Sequence, residues 1–416
     1  MLTLAALLAS SLVAPNPNSN PNPGWDPTWA NNERGILSQH VQLTHRDEFV
    51  KAGEAYFSPD DDWIIFQAIP VPAEGEAPDQ HYSMYVAGLE RDADRNIVGL
   101  LEAFRVSELG SANTCGWAHP MKPYHFLFGT TTTPPAEAEP AGYQRGTSKY
   151  SWQFPREMEI ARSWIDPEFL DVADGPGAVY LGEPEIVFER DGYDAEASWS
   201  PDTRHILYTH VDPPDGLRPG DGDIWVYDTE YGSHTPLVTA RGYDGGPFFS
   251  HDAKRICYRS DRRGDSLLQV MVADLIYDDS GAITGIANET QLTDNEHVNW
   301  CPFFTRDSQY LVYATSELGH SNYEIFMVDA AASADVRPRM RVTNARGFDG
   351  LPAMSADEKW MMWTAQRGPQ AEGEDRPSSQ LWIARYDHDR ATKMYGVMTK
   401  HARDEAARAE FESYEP

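Results

Sequence analysis

Short apolar runs alternate with polar corners along most of the chain. Trp63-Ile64-Ile65-Phe66, Ile206-Leu207-Tyr208, Ile256-Cys257-Tyr258, Tyr310-Leu311-Val312-Tyr313 and Trp360-Met361-Met362-Trp363 are β-branched and aromatic, as buried strands prefer. Each follows a corner: Ser58-Pro59-Asp60, Ser200-Pro201-Asp202, Ser250-His251-Asp252, Thr305-Arg306-Asp307 and Ser355-Ala356-Asp357. Ser and Asp side chains bond nearby backbone and Pro pre-sets φ, so each corner predicts a tight turn between two strands. A third strand follows (residues 223–227, 324–328 and 380–383, for example), then a fourth of Leu-Thr type such as 291–293. The last four corners stand roughly fifty residues apart, a period that marks a repeat architecture. Four short antiparallel strands per repeat predict an all-β fold, a six-bladed β-propeller.

The ends of the pattern carry information. Residues 41–44 read as a fourth-type strand ahead of the first corner, and no fourth strand is evident after 380–383. The N-terminal strand is therefore expected to close the last blade, removing two sheet edges. A weak corner at Gly116-Trp117-Ala118-His119-Pro120 supplies the second blade. An insertion at about 130–185 follows it, with strands expected at 157–161 and 185–188.

The ring accounts for residues 37–390. Residues 1–14 form an apolar run too short to span a bilayer and read as a signal peptide, so export to the periplasm or outside the cell is expected. Residues 15–36 read as a Pro/Asn-rich spacer, and 391–416 as an acidic tail or short solvated helix. Three cysteines exclude complete internal pairing, and three thiols are expected.

Charge narrows the partners. With 34 Lys and Arg against 65 Asp and Glu, the net charge is −31 and no basic run exists for a phosphate backbone. Nucleic acid is excluded, membrane insertion is not expected, and repulsion between copies favours a monomer.

Aligned repeats place Ala52, Asn113, Asp194, Asp244, Asn299 and Asp349 six residues before the corner. Two residues on come Glu54, Cys115, Glu196, Gly246, Cys301 and Leu351. A ring of Asp and Asn at a channel mouth can hold Ca²⁺ or another divalent cation, or the basic and amide groups of a peptide. Tyr193, Tyr243 and Phe348 precede that ring and add aromatic surface. The competing reading is that Asp after Gly-Tyr or Gly-Phe caps a turn. The candidate ligand-binding set is Asp194, Asp244, Asn299, Asp349, Glu54, Glu196, Tyr193, Tyr243 and Phe348. No catalytic residue is assigned. Gly-x-Ser-x-Gly, His-Glu-x-x-His and Cys-x-x-Cys are all missing from the chain.

The units Gly192-Tyr193-Asp194-Ala195-Glu196-Ala197-Ser198-Trp199-Ser200-Pro201-Asp202 and Ser321-Asn322-Tyr323-Glu324-Ile325-Phe326-Met327-Val328-Asp329 resemble those of TolB-type propellers. The resemblance covers most of 37–390. It implies a six-bladed ring, and its known members include a periplasmic protein that binds peptide and lipoprotein partners beside the channel. Others are fused to hydrolase domains, and a distant group are metal-dependent pectin lyases. The spacer at 15–36 is too short for the α/β domain of the periplasmic member. The resulting expectation is a non-catalytic exported ring, with no resident cofactor, that binds a protein or peptide at one face. The alternative is a metal-dependent polysaccharide lyase or hydrolase of the envelope, with its site at the channel mouth.

Overall fold

The computed structural model describes residues 28–136, 155–166, 182–213, 215–217 and 220–413. The signal-like segment, most of the Pro/Asn-rich stretch and much of the insertion lie outside the described residues. Six four-stranded antiparallel sheets are arranged as blades. Their innermost strands are Phe49–Phe57, Asn113–Ala118, Tyr193–Trp199, Asp244–Phe249, Asn299–Phe304 and Asp349–Met354. The insertion-bearing blade uses Glu159–Trp164 and Glu185–Ile186 as its third and fourth strands. In the last blade the outermost strand is Leu37–Gln42, paired antiparallel with Gln380–Tyr386. The chain therefore closes on itself as its end pattern implied.

The corner motif has one repeated construction. The Ser or Thr hydroxyl donates to the Asp two residues on, at 2.5–2.8 Å in Ser58, Ser200, Ser250, Thr305 and Ser355. The same hydroxyl accepts the N–H five residues on at 2.9–3.1 Å. This turn needs a hydroxyl and a carboxylate at fixed spacing, which is why the motif survives when Pro is replaced by His, Arg or Ala.

Blades pack face to face through the apolar strands. Cys257, Val270 and Val272 meet Phe304, Leu311, Tyr313 and Phe326 between blades four and five. At the start of the innermost strands, backbone bonds tie neighbouring blades together. The N–H groups of Ala52, Asp194, Asn299 and Asp349 donate to the carbonyls of Ser379, Met158, Leu268 and Tyr323, each at 2.9 Å.

Two flanking segments differ from expectation. Part of the spacer, Thr28–Glu33, is a helix (α1) with Trp29 and Glu33 buried. The C-terminal segment is a 26-residue helix (α2), His388–Ser413. Its Ala391 and Tyr395 are buried, and the Tyr395 hydroxyl accepts the Asp329 N–H at 2.9 Å. Its first turns are thus docked on the ring, while residues 403–409 are exposed.

Candidate functional site

Each innermost strand carries a bulge at the same place. Pairing shifts register between Gly53 and Ala55, Thr114 and Trp117, Ala195 and Ser198, Gly245 and Phe248, Trp300 and Phe303, and Gly350 and Ala353. In every blade the bulged residue is left-handed: Glu54, Cys115, Glu196, Gly246, Cys301 and Leu351 have φ of 45–59°. Five of the six are not glycine, so the conformation is imposed by the ring rather than by local preference. These six residues line one throat on the axis.

The throat holds two carboxylates and one guanidinium. Glu196 accepts the Tyr243 hydroxyl at 2.7 Å, the Gly246 N–H at 2.5 Å and the Thr209 hydroxyl at 3.0 Å. Arg259 stands 3.2 Å from the same carboxylate and donates to the Tyr243 hydroxyl at 2.8 Å. Glu54 has weaker donors, the Cys115 thiol at 2.9 Å and the Tyr56 hydroxyl at 3.3 Å. Burial pushes the Glu54 carboxyl above the usual carboxylate range and nearby Glu196 adds to it, against the Cys115 bond and Arg259. Burial, reinforced by Glu54 and Glu196, pushes the Cys115 thiol well up; burial does the same to Cys301.

All three cysteines are free. Because thiolate is the reactive form, the folded protein at neutral pH is expected to react with a disulfide reagent far more slowly than the denatured chain, which should release three equivalents. Rapid reaction of one native thiol would show a depressed pKa and contradict this electrostatic picture.

Below the throat the channel is closed. Tyr56, Trp117, Phe248 and Phe303, two residues before their corners, pack together across the axis with ring centroids 5.0–6.4 Å apart. Above the throat, at the face where the innermost strands begin, an inlet funnel of about 560 Å³ opens. Its wall includes Trp300, Phe348 and Leu351, with polar groups from Lys51, Gln67 and Gln366 and from the charged Glu374, Asp375 and Arg376.

The predicted Asp/Asn ring is placed differently from expectation. Asp194, Asp244, Asn299 and Asp349 are all buried, at 0–1% exposure, instead of facing the mouth. Each is turned to groups within the ring wall. Asp194 bonds His210 at 2.9 Å. Asp349 accepts from Arg367 at 2.8 and 2.5 Å and from the Trp363 indole at 3.2 Å. Asn299 donates to Asn295 at 2.8 Å and Gln269 at 3.2 Å. Burial raises the Asp244 carboxyl to about 6 against bonds from Ser260 and Arg262. Tyr193 is buried in a separate cluster, Tyr243 reaches the throat, and Phe348 lines the funnel. These four polar side chains fit no shared cation. Among the described residues, no group of three or more His, Cys, Asp or Glu is arranged to hold a metal.

Arg259, Tyr56 and the aromatic plug were not singled out from sequence. The plug had a readable signal, since four of six repeats carry an aromatic two residues before the corner. Arg259 had none, because it reaches the throat from a second strand.

No protein-family model matches the chain. The Tol-Pal system protein TolB of Wolinella succinogenes is 24% identical over 204 residues, or 46% of this chain. The match spans 41% of that protein, less than half its length. The structure of putative TolB from Agrobacterium tumefaciens is similar with a TM-score of 0.44 and 12% identity, covering 81% of this chain and 90% of that one. For oligogalacturonate lyase from Vibrio parahaemolyticus the values are 0.43, 10%, 84% and 93%.

Proposed function

We propose, from the premise that this chain is a propeller of TolB-type repeats, that it is a non-catalytic binding ring acting after export. Its ligand is a protein or peptide segment held at the inlet face. The observation that carries this reading is the funnel above a throat with two carboxylates and a single guanidinium. An apolar side chain packs on Trp300 and Phe348, and a basic or amide group points down toward Glu54. Glu54 is the acceptor with capacity to spare, because a thiol and a long phenol bond satisfy it poorly. A rigid ring presents this surface with little ordering cost on binding. A throat closed below by packed aromatic rings suits a ligand held at one face. The lyase alternative needs a cation site, and the Asp/Asn ring does not supply one. Among the described residues no helix is long and apolar enough to cross a membrane.

The test is selection of displayed random peptides on the immobilised ring, followed by calorimetry. Selected peptides are expected to share an apolar residue near a basic or amide one. Their affinity is expected to fall at least about tenfold in both Trp300→Ala and Glu54→Gln, the scale of losing a buried aromatic contact or a bond to a charged group. Peptides indifferent to both substitutions would place recognition elsewhere.

A further inference from the structure

The ring leaves one acceptor of the throat open. Glu54 is 8% exposed, and the Cys115 thiol and the Tyr56 hydroxyl both donate to its Oε1. Among the described residues its Oε2 takes no donor. Glu196 is the opposite case, with Tyr243, Gly246 and Thr209 donating to it and Arg259 at 3.2 Å. When both carboxyls are ionised, the throat holds two negative charges against the one positive charge of Arg259. Burial pushes the Glu54 carboxyl up against the Cys115 bond and Arg259, so a further cation at Oε2 favours its ionised form.

A second open acceptor stands just above. Gln67 lines the funnel, is 3% exposed, and its buried Oε1 has no partner among the described residues. It is the cross-strand partner of Gly53, the residue before Glu54. A buried acceptor left unpaired is costly, and an N–H from a ligand relieves the cost. The charges on the funnel wall, Lys51 and Arg376 against Glu374 and Asp375, balance one another. The excess negative charge therefore lies in the throat below them.

Size decides which cation fits. The free space in the throat is about 20 Å³, room for a single group the size of a water molecule. An ammonium has that size. A guanidinium, with three nitrogens around a carbon, does not. The packed rings of Tyr56, Trp117, Phe248 and Phe303 close the axis below, so the group enters from the funnel and stops.

We infer, on the basis of the peptide site proposed above, that the throat is a socket for one primary ammonium group, carried by a lysine side chain or by a free chain terminus. Glu54 Oε2 accepts from the ammonium, a charge-assisted bond of the stronger kind. Gln67 Oε1 accepts an N–H of the segment that follows. The socket selects lysine over arginine by room, since both carry the same charge.

The test is calorimetry with the full chain and three six-carbon probes: n-hexylammonium, n-hexylguanidinium and n-hexanol. The ammonium is expected to bind at least about tenfold more tightly than either of the others, the scale of a hydrogen bond to a charged group. The guanidinium has the same charge, which controls for general attraction to a chain of net charge −31. Glu54→Gln is expected to bring n-hexylammonium down to the affinity of n-hexanol. Nα-acetyl-lysine amide and norleucine amide then separate a side-chain ammonium from a terminal one. Gln67→Met is expected to weaken the tighter of these two about fivefold, leaving n-hexylammonium, which has no second N–H, unchanged. Both variants are checked for an unchanged melting temperature. Guanidinium or alcohol bound as tightly as the ammonium, binding that ignores Glu54→Gln, or no binding of any probe would overturn the socket. Displayed peptides that depend on Trp300 would in that case still support the peptide site. Binding of n-hexylammonium as expected, with no displayed peptide selected, would keep the socket and overturn the peptide.

Discussion

A chain shortened to begin at Thr44 is expected to lose cooperative folding and to associate. The truncation removes the outermost strand Leu37–Gln42, leaving Gln380–Tyr386 with an unpaired edge that invites pairing with other copies. It also removes the buried apolar side chains of Trp29, Ile36, Leu37 and Leu43. At about 1.5–3 kcal/mol for each such side chain, the loss approaches the 5–15 kcal/mol that holds a typical protein folded. Size-exclusion chromatography with urea unfolding reads both effects. A monomer with an unchanged unfolding midpoint would show that closure by the N-terminal strand is dispensable.

Substitution of Arg367 by Ala is expected to cost about 3–5 kcal/mol, the usual result of stranding buried charge. The guanidinium donates to Glu33 at 2.9 and 2.7 Å and to Asp349 at 2.8 and 2.5 Å. All three side chains have 0–2% exposure. One residue therefore joins α1 to the innermost strand of the closing blade. The pH dependence has a definite sign. Without Arg367, burial raises the Glu33 carboxyl against the His40 bond, so Glu33 binds its proton more tightly than with Arg367 present, and the penalty is full at neutral pH and shrinks as pH falls. Glu33→Gln combined with Asp349→Asn should relieve the Arg367→Ala defect at pH 7. A loss below about 1 kcal/mol, or one that does not vary with pH, would mean that the cluster is hydrated or compensated.

Fold and site were unequally legible in the chain. The propeller could be read because each corner repeats a local chemical requirement, Ser or Thr with Asp two residues on, and local requirements survive in sequence. Closure was legible because a strand type appeared out of order at one end. The docking of α2 has a signal in Ala391, Tyr395 and Met398, which recur at helical spacing on the docked side, but the many charged residues later in the helix read as a solvated tail. The role of Glu33 was hidden, since its partner Arg367 is 334 residues away.

The site was half legible. Alignment found both rings of equivalent positions, but strand alternation alone does not say which one faces the axis. The bulge in each innermost strand decides it, turning Glu54, Cys115, Glu196, Cys301 and Leu351 into the throat and leaving Asp194, Asp244, Asn299 and Asp349 in the wall. A bulge built from Glu, Cys and Leu at positive φ has no compositional signature, because Gly stands at this position in one blade alone.

The proposed function holds a protein or peptide at the inlet face. The most direct measurement is photo-cross-linking in an extract of the source cells, with a benzophenone amino acid at Phe348 in one variant and at Ala356 on the corner face in another. Discrete adducts from position 348, lost when Glu54→Gln is added and absent from position 356, are the predicted result. Protein adducts from position 356 with none from 348 would contradict it and move recognition to the opposite face.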